Sequence, residues 1–106
     1  MVTSDVQDDG DALLRLVARL ADAGNYEAVF HALMAALHVA DKAGDMALLE
    51  RALKIAAAQE KAVDAIHPPH RLSTRLAMER RQTPLFRTLQ THGESIRARH
   101  RTNVRA

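Results

Sequence analysis

Three times in its first half the chain places a glycine directly before an Asn or Asp, and two of these pairs, Gly24-Asn25 and Gly44-Asp45, fall between runs of helical apolar spacing. Glycine closes a helix cheaply because it has no Cβ to oppose a left-handed backbone. Asn and Asp open one, because their side-chain oxygen accepts a hydrogen bond from a free N–H of the first turn. Stop and start therefore fall on adjacent residues. A connection that short sends the second helix back along the first. Helices one to three are expected to pack up, down and up.

Apolar spacing fills in the helices. Helix one is expected to begin near Asp11 and to carry Leu13, Leu16, Val17 and Leu20 on one face. Helix two, capped by Asn25, has the clearest stripe: Tyr26, Val29, Phe30, Leu33, Leu37 and Ala40. Helix three, capped by Asp45, presents Leu48, Ala52, Ile55, Ala56, Ala62, Val63 and Ile66, with Gln59 inside the stripe and in need of a hydrogen-bonding partner if buried. Pro68-Pro69 ends it, since neither proline can donate to a helical carbonyl. Leu72, Leu76 and Met78 predict a fourth helix over about 71–82. Thr83-Pro84 reads as a cap with proline in the first turn, opening a helix to about His92 before Gly93. The alternative is one longer helix kinked at Pro84.

The expected fold is therefore all-α, a small antiparallel helical bundle of four to five helices with disordered ends. Residues 11–93 form the bundle. Residues 1–10 read as an acidic disordered N-terminus, and residues 94–106 as a basic disordered tail.

Composition narrows what such a bundle can do. At 106 residues it is one domain. Apolar residues make up 47%, but 20 of them are Ala and the only aromatics are Tyr26, Phe30 and Phe86. The core should be thin and close-packed. Without Cys there are no disulfides or thiolate metal sites. No apolar run approaches the ~20 residues needed to cross a bilayer, and the first residues do not read as a secretory signal. A cytoplasmic location is the expectation.

Charge is sorted along the chain. Residues 1–66 hold 6 basic and 11 acidic side chains, a balance of −5. Residues 67–106 hold 9 basic and 2 acidic, a balance of +7, and every basic residue there is Arg. Arg71, Arg75, Arg80, Arg81, Arg87, Arg97, Arg99 and Arg101 are the candidate contacts for an anion or partner, because guanidinium pairs bidentately with phosphate or carboxylate. The basic segment could equally lie against the acidic body of its own chain or of another copy.

Gly24-Asn25-Tyr26-Glu27-Ala28, with Ala36-Leu37 downstream and Leu13, Leu16 and Leu20 upstream, resembles one tetratricopeptide-type helix pair over about residues 12–43. Leu13 stands where that family has Trp, and Val17 where it has a small residue. The resemblance implies a helical surface that binds peptide or protein, without enzymatic activity.

Catalytic and metal constellations are weaker. His31 and His38 share a helix face but lie two turns apart, ~10 Å along the axis, too far for both to chelate one metal. They are expected to edge the polar face, in pairs such as Glu27–His31 and His38–Asp41. His67-Pro68-Pro69-His70 reads as a linker, and Ser73 or Thr74 as helix caps. No glycine-rich phosphate loop is present. The expected function is a non-enzymatic helical interaction module with no cofactor. Its expected partner is another protein. A nucleic acid or other polyanion on the Arg segment, and self-association, are the alternatives.

Overall fold

The computed structural model describes residues 2–66, 74–80 and 84–105, with side chains at 9–65, 77–80 and 84–102. The protein is an all-α bundle, with five helices among the described residues: α1 (Val2–Asp22), α2 (Tyr26–Ala43), α3 (Met46–Ile66), α4 (Thr74–Glu79) and α5 (Leu85–Arg105). The boundary near Pro68, the two helices of the second half, and the short connections agree with the sequence pattern.

Both Gly-Asx connections are built alike. At the end of α1, Gly24 N–H donates to Ala21 O at 3.0 Å and Asn25 N–H to Leu20 O at 3.0 Å, with Gly24 at φ 72°. At the end of α2, Gly44 N–H donates to Asp41 O at 3.3 Å and Asp45 N–H to Ala40 O at 2.9 Å, with Gly44 at φ 68°. These paired bonds satisfy carbonyls that the helix itself leaves open. The next residue then turns its side chain forward: Asn25 Oδ1 accepts from Ala28 N–H at 3.3 Å, and Asp45 Oδ1 from Leu48 N–H at 3.1 Å. One residue thus finishes one helix and starts the next.

Helix α2 packs against both α1 and α3, and α3 packs in turn against α5. Glu50 and Glu60 of α3 meet Arg97 and Arg87 of α5, so these two helices are antiparallel. Phe30, His38 and Asp41 of α2 meet Phe86, His92 and His100 of α5, so those two are parallel. Helices α1 and α3 are parallel as well, with Asp11 against Arg51 and Gly10 against Leu48. The chain zigzags between two layers, α1 with α3 and α2 with α5. Its extents of 44 × 30 × 15 Å suit two helix layers ~10 Å apart.

Small residues make that spacing possible. Ala32, Ala36 and Ala40 of α2 and Ala52 and Ala56 of α3 are buried among Leu33, Leu37, Leu49, Val29 and Val63. The α2 stripe is buried as the periodicity predicts, with Phe30 partly covered. Among the described residues of α1 the buried apolar side chains are Leu14 and Val17, whereas Leu16 is 36% exposed and stands outside the core. On α3, Leu49 and Leu53 join the predicted stripe. That helix has neighbours on two sides, so its apolar arc is wider than a single-partner pattern implies. Gln59 Oε1 is buried without a hydrogen-bond partner among the described residues, so the need read from the sequence is not met there.

The ends depart from expectation. Helix α1 runs from Val2, so residues 2–10 are helical and Asp11 lies within the helix instead of capping it. Acidic residues suit the first turns of a helix, where they face the positive end of its dipole. The second departure is larger. Residues 94–105 are not a disordered tail but the second half of α5, which continues through Gly93 to Arg105. Gly93 is buried and ends nothing. A Cβ there would lie 3.0 Å from Leu53 Cγ and closer still to a Leu53 methyl, so its missing side chain is what lets α5 close onto α3. One turn on, Ile96 is fully buried and extends the contact. Ile96, Ala98 and Val104 among polar and charged residues leave little periodicity to read, yet buried Ile96 adds to the contact when the facing helix is already in place.

Candidate functional site

Most of the described arginines of the second half are turned inward, toward the acidic body of the same chain. Arg97 Nη2 donates to Glu50 Oε2 at 2.9 Å, while its Nε lies 2.6 Å from Glu50 Oε1 off hydrogen-bond geometry. Arg99 Nη2 donates to Asp41 Oδ2 at 3.0 Å, and His100 Nε2 sits 2.8 Å from Asp41 Oδ1. Arg87 Nη2 donates to Glu60 Oε1 at 3.1 Å, and Gln90 Nε2 to Glu60 Oε2 at 2.9 Å. Three rungs of charge run along the seam of α5 with α2 and α3. Of the remaining candidates, Arg80 and Arg101 are exposed. The side chains of Arg71, Arg75 and Arg81 lie outside the described residues, as do His67-Pro68-Pro69-His70, Ser73 and the Thr74 side chain.

Asp41 is the electrostatic centre of the seam. Its carboxyl is held below the ordinary value, first by the hydrogen bond with His100 and then by the Arg99 charge, against the opposing pull of partial burial. Because α5 takes both of its oxygens, Asp41 faces that helix and not His38. His38 instead packs edge-on against His92 of α5, with ring centroids 5.7 Å apart, and His31 packs against Phe30 at 5.3 Å. The two α2 histidines thus have different neighbours. Among the described residues no group of three or more His, Asp or Glu is placed to hold a metal ion, and no helix is long and apolar enough to cross a membrane.

A different surface is open. Helices α1 and α3 touch each other little, although both pack on α2. Between them lies an open groove of about 700 Å³ lined by Asp11, Leu14, Arg15, Ala18, Arg51, Lys54 and Ile55. Leu14, Ala18 and Ile55 supply its apolar surface. Arg51 Nη1 is held by Asp11 Oδ1 at 2.8 Å, whereas Arg15 and Lys54 are exposed and have no ion pair among the described residues.

Sequence reading missed this groove. Its residues are scattered over two helices, with Leu14 and Ala18 beside the stripe read for helix one and Ile55 read only as a member of the helix three stripe. Comparisons with protein-family models, with curated proteins and with solved structures find no match to this chain.

Proposed function

We propose that this chain is a non-enzymatic helical interaction module and that the groove between α1 and α3 receives a partner protein. The observation that carries the reading is the groove itself, an apolar surface edged by charge between two parallel helices held apart by a third. A polyanion on the Arg segment has less support, since Arg87, Arg97 and Arg99 already pair with carboxylates of their own chain.

A photo-cross-linker at Ala18 tests the reading. In native lysate treated with nuclease it should give a discrete protein adduct, and the same cross-linker at exposed Glu94 on α5 should not. Adducts only at position 94 would move the interface away from the groove.

A further inference from the structure

We infer that the partner segment seated in the α1–α3 groove is acidic, an apolar side chain flanked by Asp or Glu; this rests on the groove being the interface proposed above. The argument begins with how α3 sorts its charges. Two of its three carboxylates, Glu50 and Glu60, point to the arginines of α5. Two of its three cations, Arg51 and Lys54, line the groove on the other side. Residues 1–66 carry a balance of −5 overall, yet their groove holds three cations and a single carboxylate.

That carboxylate is already engaged. Asp11 accepts from Arg51 at 2.8 Å, which neutralises it and fixes the guanidinium at the groove edge. Arg15 and Lys54 have no ion pair among the described residues and stand at the rim, and Arg19 continues the α1 row one turn on. A basic segment would meet like charge here, and a purely apolar one would leave the rim without a counterion. An acidic segment with an apolar anchor satisfies both features: its side chain covers Leu14, Ala18 and Ile55 while its carboxylates reach Arg15 and Lys54. Charges of this kind set the choice of partner and the rate of encounter.

The test is a nuclear magnetic resonance titration of the isotope-labelled full chain with three short peptides: a Glu/Leu amphipathic peptide, its Lys/Leu counterpart, and a Glu/Ser peptide without apolar anchors. The Glu/Leu peptide should shift Leu14, Ala18, Lys54 and Ile55 saturably below about 1 mM, more weakly as salt rises. The double change Arg15→Glu with Lys54→Glu should lower that affinity about tenfold or more and raise affinity for the Lys/Leu peptide. Both positions are exposed, so the helical spectrum should persist. Ala18→Trp, which fills the groove without touching its rim charges, should abolish binding in the otherwise wild-type chain.

Tighter groove binding of the Lys/Leu peptide to the wild type would overturn the acidic assignment while leaving the groove as an interface. Failure of both amphipathic peptides to shift groove residues would overturn both readings. Equal binding of the Glu/Ser peptide would overturn the apolar anchor.

Discussion

Gly93 of α5 lies directly against the Leu53 side chain of α3, so closely that a Cβ at position 93 would stand 3.0 Å from Leu53 Cγ. Within a helix, Gly→Ala ordinarily stabilises by up to about 1 kcal/mol. Here the sign should reverse. Gly93→Ala is expected to cost about 1–3 kcal/mol, because the added methyl overpacks a closed interface. Leu53→Ala alone should cost about 2–5 kcal/mol. The double variant should cost less than the sum by about 1 kcal/mol, since the new methyl enters the space that Leu53 vacates. Urea denaturation of the four proteins checks this, and strict additivity would show that the two residues do not share that space.

Leu33 and Leu16 offer a contrast within one fold. Leu33 is 1% exposed and Leu16 is 36% exposed, although both lie on predicted stripes. Leu33→Ala should cost about 2–5 kcal/mol. Leu16→Ala should stay within about 0.5 kcal/mol. Comparable losses in thermal melts would mean that α1 is rotated from the orientation described.

Removing residues 95–106 should now be costly. The deletion takes away buried Ile96 and the charged contacts of Arg97, Arg99 and His100. The melting temperature should fall by more than about 5 °C, the shift that about 1 kcal/mol produces in a domain of this length. An unchanged melt would identify this segment as a passive tail.

Asp41 sets an acid limb. Its carboxyl is shifted below its ordinary value of 3.8, so the folded state favours the ionised form. That contribution is fully present above the ordinary value and is lost as pH falls through the lower, folded-state value. Asp41→Asn should therefore be less stable than the wild type at neutral pH, with the gap narrowing below about pH 4. The carboxyl carbon of Asp41, followed by nuclear magnetic resonance, should titrate below 3.8. A midpoint above that value would remove the seam as the cause.

Arg97 and Arg101 should behave differently despite sharing one short run. Arg97 is paired with Glu50, whereas Arg101 is exposed with no ion pair among the described residues. A double-mutant cycle on Arg97 and Glu50 should give up to about 1 kcal/mol of coupling that shrinks with salt. Arg101→Gln should change stability by less than about 0.5 kcal/mol. Coupling that does not respond to salt would indicate packing of the aliphatic stem in place of charge.

The sequence by itself determined the two reversals that join the first three helices and the buried face of α2. Gly24-Asn25 and Gly44-Asp45 carry all the chemistry those corners need within a few residues, and Tyr26, Val29, Leu33 and Leu37 show their buried face through spacing alone. The tertiary structure decided what lies across the interfaces. Gly44 and Gly93 are both glycines late in an apolar stripe, yet one ends a helix at φ 68° and the other lets two helices touch. Gly44 has Asp45 behind it to cap the next helix, whereas Gly93 is followed by Glu94 and its place is decided by Leu53 across the interface. The arginines of α5 likewise read the same whether their counterions come from a polyanion or from Asp41, Glu50 and Glu60. A charge declares that it needs a partner, but the partner is named by distance, and distance between residues some 27 to 58 apart in the chain is set by how the helices pack.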